Sequence, residues 1–227
     1  MRMLDTYYAW TFDRFRGHVG RRVLDAGCGV GSLMSLVAPM VDCVVGVDLS
    51  ESNLAVARER FHGMPHVRCV RRDLDESLSD LRTERFDTIA MLDVLEHVDD
   101  DVGLLRRLHE VMEIRGHLLI KVPGCRWLFG SVDEASGHFR RYTPRDLRQK
   151  VEAAGWRVLS VGYMNLAGVV PYWIKSVVLR RRTNFSRTFS ARQLAGIRRA
   201  IPWLRRLDRV TGPPIGQSVI LVARKEP

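Results

Sequence analysis

A chain of 227 residues suits one α/β domain with room for an appendage. Its 46% hydrophobic and 27% charged residues are those of an ordinary globule with enough apolar material for a core. No apolar run reaches the roughly 20 residues of a membrane span; the longest candidate, 166–179, is broken by Pro171 and Lys175. Asp5 and Thr6 interrupt the start where a signal peptide needs an unbroken apolar stretch, so the expectation is a cytoplasmic protein. Cys28, Cys43, Cys69 and Cys125 show no Cys-x-x-Cys spacing and read as thiols in a reducing compartment.

The net charge of +10 is concentrated. Between Asn165 and Gly216 eleven lysines and arginines face a single acid, Asp208. That excess equals the whole net charge, so the rest of the chain is balanced.

In chain order, strands are expected at 22–26, 43–47, 67–71, 86–92 and 117–122, each a short β-branched apolar run. Helical patterns at 32–38, 51–61 and 100–112 separate them. Thr143 and Pro144 open a further helix that ends before Gly155. Strands at 156–162 and 218–223 follow, with the basic segment between them. This alternation predicts a doubly wound, seven-stranded, mostly parallel sheet with a basic helical insertion before the last strand. The core is then 1–164 with 217–227, and the insertion is 165–216.

Val23-Leu24-Asp25-Ala26-Gly27-Cys28-Gly29-Val30-Gly31 closes the first strand, and its glycines allow a sharp turn and close approach to a ligand. The dinucleotide fingerprint Gly-x-Gly-x-x-Gly fails at Ser32. Asp25 would repel a pyrophosphate but suits a cationic ammonium. Asp48 ends the second strand, where an acid can accept from ribose hydroxyls, and Ser50 follows as a helix cap. Asp73 follows the third strand, placed to accept from an adenine amine. Three acids at the carboxyl ends of three successive strands exceed what strand-end or capping roles explain.

These motifs resemble those of the class I S-adenosylmethionine-dependent methyltransferases. Gly46-Val47-Asp48-Leu49-Ser50, Arg72-Asp73-Leu74, Phe86 to Val98 and Arg115 to Ile120 follow in the family's order, with Arg115-Gly116 in place of the usual Pro-Gly. The resemblance implies S-adenosyl-L-methionine as cofactor, held by Asp25, Gly27, Cys28, Gly29, Gly31, Asp48, Leu49, Asp73, Leu74, Leu92 and Asp93. Leu92-Asp93-Val94-Leu95 lacks the Asp/Asn-Pro-Pro-Tyr-like tetrad of amino-methylating DNA enzymes. Leu95-Glu96-His97 resembles small-molecule methyltransferases instead.

A hydroxyl acceptor must lose its proton, which makes His97 and His138 the catalytic candidates. His138 lies in Gly137-His138-Phe139-Arg140-Arg141-Tyr142, a run also seen in a bacterial methyltransferase subset; a solvated charge pair is the plain alternative for Arg140 and Arg141. Asp93, Glu96, His97 and His138 together are an oxygen/nitrogen set suited to a divalent ion. They are similar to the Glu-x-x-Glu-His site of small-RNA 2′-O-methyltransferases, though Asp93 replaces the first Glu and no second histidine follows His97. Whether a metal binds is left open.

In the insertion, Leu194, Ile197, Ile201, Leu204 and Leu207 stand at helical spacing among arginines, with Pro202 as a break and Trp173 and Trp203 as amphipathic rings. A lid, a surface for anionic membrane and a nucleic-acid grip are the three readings, in that order. The expected activity is methyl transfer to a small-molecule or lipid- or carrier-linked acceptor at oxygen. The rivals are an RNA-directed methyltransferase and a non-catalytic binding module.

Overall fold

The computed structural model describes residues 3–180, 203, 204, 206, 208 and 212–227. Seven strands form one sheet: β1 (Arg22–Ala26), β2 (Cys43–Asp48), β3 (Val67–Arg71), β4 (Phe86–Leu92), β5 (Met112–Pro123), β6 (Trp156–Met164) and β7 (Ser218–Lys225). Their order is β3-β2-β1-β4-β5-β7-β6, with β7 antiparallel to both its neighbours. The expected doubly wound sheet is therefore present.

Residue alternation divides the core in two, because successive strand side chains point to opposite faces. Leu24, Val45, Ile89, Leu118 and Leu221 pack under α4 (Asp101–Val111) and α6 (Pro144–Ala153). Val23, Val44, Ala90, Leu119 and Ile220 pack against α1 (Met3–Phe15), α2 (Met34–Val37) and α3 (Glu51–Arg60). Helix starts follow the expected chemistry: Ser50 accepts from the Asn53 amide at 3.3 Å, Asp100 from Gly103 at 2.9 Å and Thr143 from Asp146 at 3.2 Å. Trp156 donates its indole N–H to the Leu105 carbonyl at 3.0 Å, tying β6 to α4.

Some elements differ from expectation. Helix α1 was unforeseen, since its stretch mixes aromatic and polar residues; Trp10, Phe12 and Phe15 are nevertheless buried in the second core. The helix expected at 32–38 shrinks to one α-turn followed by a 3-10 turn, Ala38–Met40, where Pro39 sits in the first turn. Strand β5 starts at Met112, directly after α4, and a register shift opposite Phe86 and Thr88 absorbs the extra residues. The segment after β5 contains a short helix, α5 (Ser131–Ser136), rather than loop alone.

The insertion leaves from β6 and returns to β7, which pair antiparallel. It begins with α7 (Val169–Trp173) and a π-helical turn, Ile174–Val178. Its two ends are fastened together. The buried carboxylate of Asp208 accepts the amides of Asn165 and Leu166, and Asn165 Nδ2 donates to Gln217 Oε1 at 2.8 Å. The helix expected around Leu194 to Leu207 falls almost wholly outside the described residues. Among the described residues no helix is long and apolar enough to cross a membrane.

Candidate active site

Parallel pairing sets Asp25 opposite Gly46 and Ala90, so the carboxyl ends of β1, β2 and β4 open onto one edge. There the chain turns through Gly27 at φ +80°, where a Cβ would collide with the Val94 side chain. A Cβ on Gly29 would meet open space, so the loop is open on that side. Asp48 holds the loop from behind: its Oδ2 accepts the Gly29 amide at 2.8 Å and its Oδ1 the Ser50 amide at 2.9 Å.

Asp25 is buried and its Oδ2 has no hydrogen-bond partner. Burial, and secondarily the charge of Asp48, pushes its carboxyl up to about 7. An orphaned buried carboxylate beside an open glycine loop fits the ammonium end of S-adenosylmethionine, which would supply the missing partner. Asp48, with lone pairs beyond its two amide bonds, fits the ribose hydroxyls. Asp73 follows β3 and accepts the Asp75 amide at 2.9 Å, a local turn that leaves its second oxygen for another donor. Leu49 is exposed beside Asp48, and Leu74 and Leu92 are buried at the same edge. Cys28 is buried; burial first, then Asp25, holds its thiol in the neutral form.

A cavity adjoins this edge, lined among others by Asp93, Glu96, Lys121, His138, Arg141 and Tyr172. Asp93 stands at the end of β4 with φ +57° and is ion-paired to the buried Lys121 of β5. Glu96 lies in the 3-10 turn Leu95–His97 and is fully buried, with both carboxylate oxygens unpartnered. Burial, reinforced by Asp93, raises Glu96 well above the ordinary carboxylate range. The Phe139 amide donates to the Glu96 carbonyl at 2.8 Å, which draws the His138 segment onto this turn. His97 and His138 then meet edge to face, ring centroids 4.7 Å apart. His97 Nδ1 lies 3.3 Å from the Gly137 carbonyl, and burial, then His138, lowers its basicity.

Glu96, His97 and His138 each offer one ligand atom, all within 4.8 Å of one another. Asp93, expected to complete this set, is engaged by Lys121 and is not part of that cluster. The solvated-pair alternative fails for Arg141. Arg141 is buried, donating to Asp133 Oδ1 at 2.8 Å and to the Gly124 carbonyl at 2.8 Å, and stacks 4.2 Å from the Tyr172 ring. Arg140 bonds Asp101 and Asp99, both at 3.0 Å. Tyr142 is buried and donates to Asp101 at 2.9 Å.

A family model described as a methyltransferase domain matches residues 4–161. The chain belongs to this methyltransferase family. The methyltransferase is similar to the ubiquinone biosynthesis O-methyltransferase of Pseudomonas aeruginosa strain LESB58, 28% identical over 164 residues that cover 66% of this chain and 70% of that protein. Its fold matches an S-adenosylmethionine-dependent methyltransferase from Mesorhizobium loti, with a TM-score of 0.66 at 18% identity, covering 97% of this chain and all of that one. It also matches Haemonchus contortus phosphoethanolamine N-methyltransferase 2 in complex with S-adenosyl-L-methionine, with a TM-score of 0.61 at 20% identity, covering 98% of this chain and 57% of that one. The protein is thus an S-adenosylmethionine-dependent methyltransferase.

The sequence reading missed Asp133, Lys121 and Tyr172. Asp133 follows Gly130 by three and precedes His138 by five, a spacing with no simple period, because α5 ends at Gly137 before the chain doubles back. Lys121 interrupts the otherwise apolar run Leu118–Val122, and that interruption was the one available signal.

Proposed function

We propose that the methyltransferase acts on a hydroxyl oxygen of a small or carrier-linked metabolite held in the cavity between Glu96, His138 and Tyr172. The observation that carries this reading is His138, whose Nδ1 is bonded to Asp133 at 2.8 Å while its Nε2 faces Glu96 at 4.0 Å on the cavity wall. The name of the Pseudomonas relative agrees with oxygen as the accepting atom.

Bound S-adenosylmethionine supplies an electrophilic methyl on a sulfonium. Asp25, the glycine loop and Asp48 would hold the donor, and the Asp93–Lys121 pair lines the wall of the cavity in which the acceptor would meet it. The acceptor O–H proton passes to the cluster at His138 as the O–CH3 bond forms and the S–CH3 bond breaks, and it then leaves to solvent. Burial excludes water from Glu96 and sharpens these electrostatics. Tyr172, near the start of the insertion, and Gln217, just after its end, both line this cavity, which puts the described flanks of the insertion on the acceptor side.

Transfer of a labelled methyl group from S-adenosylmethionine to a panel of phenols, alcohols and amines tests the reading. His138→Ala is expected to lower turnover on a hydroxyl acceptor by about 10²–10⁴-fold while cofactor affinity holds. Methylation of amines alone would end it.

A second reading has its own support: the compact Glu96, His97 and His138 set, with both Glu96 oxygens unpartnered, suits a divalent cation that would lower the hydroxyl's pKa directly. Turnover that survives exhaustive chelation, with no ion adding to it, would dismiss that variant and leave His138 as base.

A further inference from the structure

Asp133 lies at the centre of a hydrogen-bond network. Its side chain is fully buried on α5 and receives four donors. His138 Nδ1 and Arg141 Nε reach Oδ1, both at 2.8 Å; the Tyr172 hydroxyl reaches Oδ2 at 2.9 Å and the Gly130 amide reaches it at 3.0 Å. A carboxylate offers about four lone-pair sites, so this one is saturated. Saturation fixes its position from three sides. Gly130 belongs to its own helix start. Arg141 also donates to Gly124, just beyond β5. Tyr172 comes from α7, and Ser176 holds α5 from the same side by accepting the Val132 amide at 3.3 Å.

The charge state follows from the same contacts. Four donors, one of them the Arg141 guanidinium, occupy the lone-pair sites of both oxygens and leave no place for a proton, so Asp133 stands as the carboxylate. An ionised carboxylate only accepts. The ring nitrogen facing it must therefore carry the proton, and in the neutral imidazole the other nitrogen is bare. That bare atom, Nε2, is the one turned toward Glu96 and the cavity.

We propose that Asp133 is a positioning residue that fixes His138 as the Nδ1–H tautomer and aims its Nε2 lone pair at the acceptor, with Arg141 and Tyr172 holding Asp133 to that task. The inference rests on His138 working at a hydroxyl acceptor, and it holds whether Nε2 takes a proton or a metal ion. It assigns Arg141 a purpose different from substrate binding: its charge allows a buried anion to exist behind the histidine.

The test is Asp133→Asn. Long-range 1H–15N spectra of histidine-labelled protein, with the His138 signals assigned from His138→Gln, report the tautomer directly. The native protein should show one neutral form with a bare Nε2, and Asp133→Asn should show a mixture. Turnover should fall about 10- to 100-fold, the range typical when the partner behind a metal-ligating histidine is removed. The KM for S-adenosylmethionine should not move. Asp133→Asn should cost nothing further in a His138→Ala background, because a residue acting through another gives a non-additive cycle. Because Asp133→Asn strands the Arg141 charge, Asp133→Asn/Arg141→Met is the companion variant if the single change fails to fold, and the same readouts apply. A native His138 with Nε2 protonated overturns the proposal, as does equal loss of turnover with and without His138. If no hydroxyl acceptor is methylated but the tautomer still depends on Asp133, the positioning stands and the oxygen-methylation reading falls.

Discussion

The carboxylate of Asp48 accepts the backbone N–H of Gly29 at 2.8 Å, across the gap between the ends of β2 and β1. One side chain thus ties the glycine loop to the end of β2, and the proposed reading also gives it the ribose hydroxyls. Asp48→Ala should weaken binding of S-adenosylhomocysteine by about 1.5–3 kcal/mol, the value of hydrogen bonds to a charged group. Titration calorimetry measures this, and native affinity in the variant would remove Asp48 from the cofactor site.

Asp25 gives a pH dependence with a definite sign. Its folded pKa of about 7 lies above its unfolded value, so the folded protein binds the extra proton between about pH 4 and 7. The stability this confers is present below pH 4 and is lost as pH rises to 7. A cationic ligand reverses the preference by favouring the carboxylate. Cofactor affinity should therefore rise between pH 5.5 and 7, by no more than tenfold per pH unit, with release of a proton. Calorimetry in buffers of different ionisation enthalpy counts that proton, and Asp25→Asn should flatten the profile. A flat profile in the native protein would place the ammonium elsewhere.

Tyr142 is a structural prediction of a different kind. Its hydroxyl joins Asp101 at the start of α4 to the Leu95 carbonyl in the turn that carries Glu96 and His97. Burial pushes its phenol up, so it stays protonated and does not serve as a base. Tyr142→Phe should cost about 1 kcal/mol, or about 2–4 °C in Tm for a chain of this size. A thermal melt measures it. A large loss of turnover with an unchanged melt would instead put Tyr142 in the chemistry.

The strand ends proposed to hold the cofactor were legible because their signals are local. Asp25, the glycines, Asp48 and Asp73 each sit at a strand end, and short, nearly continuous apolar runs locate those ends without tertiary information. The acceptor half was legible only in part. Glu96, His97 and His138 were visible as residue types, yet their meeting depends on the Phe139–Glu96 backbone bond across the cavity. The contacts of Asp133 and Arg141 come from burial, which neither composition nor spacing reports for a short polar helix such as α5.

The insertion yields a prediction about surfaces. Val170, Trp173, Ile174 and Val178 are exposed at its start, and Trp127 is exposed on the segment after β5. With eleven bases against one acid in this segment, contact with anionic lipid should be salt-sensitive, since exposed charges are screened beyond about 8 Å at physiological ionic strength. Sedimentation with anionic and neutral vesicles across a salt series, beside gel shifts with RNA, separates the cases. Binding to anionic vesicles, weakened by Trp173→Ala and by salt, is expected. Binding to RNA alone would favour the nucleic-acid alternative.

The fastening of Asn165 to Asp208 and Gln217 has an evolutionary corollary. Where two ends of an excursion are already joined, lengthening it costs little, about 0.6 kcal/mol for each doubling of a flexible loop. The stretch between those anchors can therefore be lengthened, shortened or recomposed in descendants of this gene while the sheet keeps its register. On the proposed reading, acceptor preference is free to drift with that stretch, while the glycine loop and the Asp48 that ties it to β2 stay under separate constraint.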